Sequence, residues 1–224
     1  MAGPRPGCPV AGPARDWPTR IPRYLGRARS YGGIYYPNGL VVWFRHMAGS
    51  PTSPAVPAAL LEKVMIFIDG SNLFHSLGQA RIDYRRLVEE LVAGRNLIQA
   101  FHFCSLPPNP RQTQIDFHNK LRALGLEVKV FPLRLRNNTL VEKGVDVAMA
   151  VEFLIQAYNR NFDVGVLVTG DEDFKGVVSE AKRLGRKVEI AAIQAACGKE
   201  FQLCGNKFVP LEPIIQRAKL PGKP

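Results

Sequence analysis

Two short stretches of the chain carry acid at the end of apolar runs. Ile66-Phe67-Ile68-Asp69-Gly70-Ser71-Asn72 is the first, and Leu167-Val168-Thr169-Gly170-Asp171-Glu172-Asp173-Phe174 is the second. A third acid, Asp146, stands in Lys143-Gly144-Val145-Asp146, at the start of a predicted helix. Singly, each has a plain structural use. Asp69-Gly70 can make a turn, Asp171 or Asp173 can cap a helix, and Asp146 can favour its own helix start. Jointly they point elsewhere. Like charges brought to one sheet edge repel, and carboxylates crowded in this way share a proton or bind a cation. With no His or Cys cluster beside them, hard oxygen donors suit Mg²⁺ or Mn²⁺.

The pattern around these residues predicts the elements that must hold them. Val64–Ile68, Leu97–Phe103, Glu127–Leu133, Val164–Val168 and Lys187–Ile193 read as strands. Asp83 caps a helix with Leu87, Leu91 and Val92 on one face. Gln112–Leu124 is an amphipathic helix closed by Gly125, and Phe174–Leu184 is one stopped by Gly185. Val145–Tyr158 is a helix with Val147, Val151, Leu154 and Tyr158 on one stripe. Arg134–Glu142 reads as a polar, basic loop, Phe74 as a core residue, and a last helical segment near Lys199–Leu203 leads to Phe208–Leu211. Strands that are continuous apolar runs, alternating with helices, indicate an α/β fold. Its parallel sheet, of about five strands, is doubly wound with helices on both faces. Sites in such sheets form at the carboxyl ends of strands, where strand order reverses.

Composition sets the remaining bounds. The 224 residues carry a net charge of +11 and are 46% hydrophobic. No run reaches the ~18 apolar residues of a membrane span, so no membrane partner is expected. Residues 1–61 hold seven Arg against one acid, Asp16, and ten of the 18 prolines. We read residues 1–60 as a disordered basic Pro/Gly/Arg-rich extension, which could also be upstream sequence before an internal start at Met47. Residues 61–213 form the domain and 214–224 a flexible tail. The basic balance favours polyanions through counterion release. Cys197 and Cys204 lack a zinc-knuckle spacing, and a chain with a full core needs no disulfides. The setting expected is reducing and cytoplasmic.

The three motifs also carry a family resemblance. From Lys63 to about Leu211 the chain closely resembles the NYN domain family, the LabA/DUF88-like branch of the PIN-like nucleases. The matching pieces are Phe67–Leu73, Lys143–Ala148 and Val168–Phe174, in that order and spacing. The resemblance implies a PIN-like sheet and a metal-dependent ribonuclease site. Asp69, Asp146, Asp171 and Asp173 would be the acidic cluster for Mg²⁺ or Mn²⁺, with Asp69 and Asp171 central. Asn72 would orient water or a phosphate oxygen, and Thr169 would lend a hydroxyl. Read from position and not from the resemblance, Lys143 could touch a substrate phosphate or pair with a nearby carboxylate, Arg134 and Arg136 could guide a strand into the cleft or be a solvated basic loop, and Ser71 and Thr169 stand on the substrate side; the substrate would be a single-stranded or structured RNA. The alternative is a non-catalytic RNA-binding or regulatory module on the same fold. A homo-oligomer is compatible with either. Asp69 argues against a Toprim domain, which carries Glu after its first strand. Asp69-Gly70-Ser71 lacks the Asp-x-Asp of a haloacid dehalogenase phosphatase, and Gly70-Ser71-Asn72 is a poor phosphate cradle for a flavodoxin-like binder.

Overall fold

Strand β3 (Lys63–Asp69) is the spine of the molecule. Its residues alternate between two faces, and both are buried. Val64, Ile66 and Ile68 enter an aliphatic core; Met65 and Phe67 enter an aromatic one. This period of two is the pleat of a strand covered on both sides. The computed structural model describes residues 31–35, 41–45, 61–78, 80–136 and 139–220.

The chain divides into two units, 1–51 and 52–224. In the first, β1 (Tyr31–Tyr35) and β2 (Val41–Arg45) pair antiparallel. The sequence reading expected no regular element there. Tyr, Ile, Val, Trp and Phe favour strands, and a two-strand pairing needs no long period to form. The rest of residues 1–60 lies outside the described residues.

In the second unit β3 leads directly into α1 (Gly70–Leu77), followed by α2 (Tyr84–Val92), β4 (Asn96–Leu106), α3 (Gln112–Ala123) and β5 (Glu127–Pro132). A small hairpin, β6 (Arg134–Arg136) and β7 (Thr139–Val141), leads to α4 (Val145–Tyr158). Then come β8 (Val164–Val168), a 3-10 turn (Glu172–Phe174), α5 (Lys175–Arg183) and β9 (Lys187–Ala192). The second unit ends with α6 (Lys199–Cys204), β10 (Lys207–Pro210) and α7 (Leu211–Ala218). The six long strands form one parallel sheet in the order β10-β9-β8-β3-β4-β5. From β3 the chain winds one way through β4 and β5, then returns to β8 and winds the other way. The reversal therefore falls between β3 and β8. Side chains of α1, α2, α3 and α7 fill the aliphatic core, and those of α4, α5 and α6 the aromatic one.

This is the expected doubly wound α/β sheet, with a sixth strand at one edge. Helix α1 was not expected, and four further details differ from the sequence reading. Residues 134–141 form a hairpin rather than a loop. Residues 211–218 are helical, so ordered structure runs past residue 213; Leu211, Ile214 and Ala218 are buried in the aliphatic core. Phe74 is 68% exposed, because α1 turns its Leu73 face to the sheet. On α4 the stripe of Val147, Val151 and Tyr158 faces solvent, and Val145, Met149, Phe153 and Ala157 are the buried face. That helix is apolar nearly all round, so periodicity alone could not choose the inner side.

One long-range ion pair ties helix to sheet. Arg95, just past α2, donates to both carboxylate oxygens of Glu189 on β9 at 2.9 Å, and also to the carbonyls of Leu91 and Val92. A half-buried guanidinium with these acceptors has four of its five N–H groups engaged, which is how a charge is tolerated there.

Candidate active site

Asp69 is the last residue of β3, and it does two things at once. Its backbone closes the strand, and its side chain opens α1, with Oδ1 accepting from the Asn72 backbone N–H at 2.9 Å. An N-cap requires extended backbone and a short side-chain acceptor, and Asp at a strand end meets both conditions. The chain can turn into the helix at once only because residue 70 is Gly. A Cβ there would stand 2.6 Å from the His102 ring and 2.6 Å from the Phe103 carbonyl oxygen. His102 is buried beneath this turn, with neither ring nitrogen hydrogen-bonded. Burial, helped by neighbouring His118, lowers its pKa to about 3, so the ring is neutral.

Asp69 Oδ2 accepts from the Thr169 hydroxyl at 3.1 Å, and the Asp171 backbone N–H donates to that same hydroxyl oxygen at 3.2 Å. The Asn72 side-chain carbonyl accepts from Gly170 N–H at 3.0 Å. Asp171 in turn caps the 3-10 turn by accepting from Asp173 N–H at 2.9 Å. A continuous network thus joins the ends of β3 and β8, across the point where strand order reverses.

Asp146 reaches the same place from the opposite layer. Gly144 adopts φ 84°, a left-handed conformation that Gly takes readily, and it passes the chain from the hairpin into α4. Asp146 then lies in the first turn. Burial raises its carboxyl to about 6, with Asp69, Asp171, Glu142 and Asp173 each pushing in the same direction. Burial also raises Asp69, against the two hydrogen bonds from Asn72 and Thr169, and Glu142 and Asp171 add to the rise. The structure therefore gathers Asp69, Asp146, Asp171 and Asp173, and adds Glu142. The Ser71 hydroxyl donates to Glu142 Oε2 at 2.7 Å. Sequence reasoning assigned Glu142 to a polar loop. The one signal for it was its position, immediately before Lys143-Gly144-Val145-Asp146.

The remaining residues sort by what they touch. Thr169 is buried, and its hydroxyl is spent between Asp69 and Asp171; it positions carboxylates rather than facing outward. The Asn72 carbonyl is committed to Gly170, which leaves its amide nitrogen for a ligand. Ser71 holds Glu142. Arg134, Arg136 and Lys143 are exposed on or just beyond the hairpin. Glu172 accepts from Lys175, while Glu152 accepts from Gln156 and faces Lys129.

The donor set suits a hard divalent cation. Five carboxylates crowd together, and among the described residues none of them makes an ion pair with Lys, Arg or His. Desolvation lifts the Asp69 and Asp146 carboxyls and their acidic neighbours add to the rise; a cation placed among them would offset both effects. The cage is not closed, however. Among the described residues no three Asp, Glu, His or Cys side chains converge on one point. Asp173, Asp146 and Glu142 are the exposed members, the last two on the hairpin–helix connection.

Comparison with known proteins agrees with the fold. A crystal structure of a protein of unknown function from Vibrio parahaemolyticus RIMD 2210633 superposes with a TM-score of 0.61. The two are 22% identical, and the match covers 71% of this chain and 97% of that one. No curated protein matches the chain. No described helix is long and apolar enough to cross a membrane. The model of the NYN domain matches residues 63–212, which takes in β3 through the start of α7 and all five carboxylates; the chain belongs to the NYN domain family.

Proposed function

We propose that this NYN domain is a metal-dependent endoribonuclease, with Mg²⁺ or Mn²⁺ as the cation and RNA as the substrate. The observation that carries the reading is the set of unneutralised carboxylates at the carboxyl ends of β3 and β8, on a fold shared with PIN-like nucleases. Asp69 and Asp171 would be the central ligands: the Thr169 hydroxyl donates to the Asp69 carboxylate and accepts from the Asp171 backbone N–H, which ties the two strand ends together. Asp146, Asp173 and Glu142 complete the set. A bound divalent cation supplies activation of water and charge stabilisation at the scissile phosphate. Asp146, exposed at the start of α4, takes the proton from the attacking water. The Asn72 amide nitrogen donates to a non-bridging phosphate oxygen. Arg134, Arg136 and Lys143 engage the flanking phosphates, contacts that position a strand without reading its sequence. Phe74 lies one helical turn beyond Ser71, on the same side of α1, and offers an exposed ring on which an unpaired base can stack.

The test is cleavage of labelled single-stranded and structured RNAs by the full chain with Mn²⁺, Mg²⁺ or EDTA, beside Asp171→Asn. Cutting that needs the cation and is lost in the variant is the expected result. A second reading, an RNA-binding module without turnover, is favoured by the open cage. Intact RNA that remains bound in every condition would select it. Absence of both cutting and binding would end both readings.

A further inference from the structure

Helix α4 presents an apolar face to water. Val147 is 67% exposed, Val151 51%, Ile155 48% and Tyr158 75%. Together they offer apolar surface on the order of 400 Å², within the range of the largest patch on an ordinary monomer, which is often functional. With half-buried Leu154 the spacing is 147, 151, 154, 158: steps of four, three and four. That is the seam of a helix packed along another helix. The helix's inner face is already satisfied by Val145, Met149, Phe153 and Ala157, so the core makes no demand on the outer one.

We infer that this face pairs with the same face of a second copy of the chain, the two α4 helices lying antiparallel about a two-fold axis near residue 153. Three observations favour a copy over other occupants. First, the stripe has no Lys, Arg, Asp or Glu. A charged partner finds nothing to pair with, and two copies of a chain of net charge +11 meet no repulsion on the stripe itself. Second, the stripe is graded. Its small end is Val147 with Ala148, and its large end is Tyr158. Antiparallel pairing sets each Tyr158 against the partner's small end and Val151 beside Ile155. A self-complementary patch of this kind is what two-fold symmetry requires. Third, the size fits. A stable interface buries ~800 Å² per partner, with an apolar centre inside a polar rim. The stripe supplies about half of that as the centre. The adjoining groove between α4 and α5, lined by Tyr158, Asn159, Glu180 and Leu184, supplies part of the rim.

Pairing in this register sets the two Asp146 residues about 20 Å apart along the helix axes, at 1.5 Å per residue. The inference does not depend on the nuclease reading, and its test has no activity readout. Sedimentation of the full chain at micromolar concentrations is expected to show a dimer. Val151→Lys and, separately, Ile155→Glu are expected to weaken it by roughly 10-fold or more each, with circular dichroism unchanged. Mixing the two variants is expected to restore a heterodimer, because Lys then faces Glu. A monomeric parent chain overturns the inference, whether the face is bare or covered by another part of the same chain. A dimer indifferent to both substitutions overturns it too, as does a mixture that stays monomeric.

Discussion

The two halves of the acidic site are built differently. Where β3 and β8 end, Asp69 is only 4% exposed, and hydrogen bonds to backbone and hydroxyl groups fix it, Thr169, Asn72 and Asp171 in place. Across the cleft, Asp146 and Glu142 are exposed, and their supports are one serine hydroxyl and the start of a helix that follows a three-residue hairpin strand. The first half is preorganised by the sheet. The second has fewer hydrogen-bonded supports for its carboxylates, although Val145 beside Asp146 is anchored in the aromatic core. On the proposed nuclease reading, that difference suits a site that would hold a cation firmly on one side and admit a bulky phosphate on the other.

The comparison can be broken at several points. The largest effect is expected at the fixed half. Asp171→Asn or Asp69→Asn should lower cation-dependent cleavage by on the order of 10²–10³-fold, measured as kcat/KM on a labelled RNA. A variant that keeps its rate would remove the central ligands from the scheme. Next, Gly70→Ala should destabilise the fold by about 1–3 kcal/mol, since its methyl meets a buried ring and a carbonyl. Denaturant unfolding reads this directly, and an unchanged midpoint would show that the turn has slack. Thr169→Val keeps shape and removes the hydroxyl shared by Asp69 and Asp171. Cation affinity or rate should fall by about 10–100-fold, by calorimetry and cleavage alike. Glu142→Gln, in the exposed half, should cost less than Thr169→Val; the reverse order would overturn the division into a firmly hydrogen-bonded half and a lightly supported one.

The smallest effect concerns pH. In the folded chain the Asp146 carboxyl, though exposed, is pushed up to about 6, by partial desolvation first and then by its acidic neighbours, against about 3.9 when unfolded. Between those values the folded state holds the extra proton. Stability of the cation-free protein should therefore fall as pH rises from about 4 to about 6, then level off. Asp146→Asn should remove that slope and stabilise the cation-free chain at neutral pH by no more than roughly 1 kcal/mol, since the side chain is partly solvated and screened. Equal stability of variant and parent at pH 7, with equal slopes below it, would mean the carboxylates do not feel one another.

Much of this was legible in the residues. The long strands of the sheet's centre, the two acidic strand ends and the place where they meet follow from apolar runs that stop at Asp. The cap at Asp83 formed as its residue type predicts, with its carboxylate accepting from Arg85 and Arg86 N–H. What stayed hidden depended on tertiary choices. Helix α1 was missed because a strand running straight into a helix leaves no loop to mark the boundary, and only the close approach at Gly70 permits it. Phe74 and Val147 are apolar yet exposed, because composition cannot say which side of a largely apolar helix meets the sheet. Glu142 was passed over because an acid in a basic, polar stretch looks solvated; its place beside Ser71 exists only once the hairpin forms. Thr169 and Asn72 were recognised as site residues, but their hydrogen bonds run to the protein, a direction that sequence does not carry.

The Thr169 hydroxyl and the Asp69 carboxylate it reaches are 100 positions apart, and β3 lies between β4 and β8 in the sheet. On the ribosome β3 is the first strand of the six-stranded sheet to emerge, and it can pair with β4 on one flank while its other flank waits for β8. Until that strand arrives, Asp69 has neither its hydroxyl donor nor Asp171 beside it. A nascent chain that stops short of residue 171 would hold a single anchored carboxylate and no pair. The order of synthesis thus withholds the assembled acid cluster until most of the domain has been made.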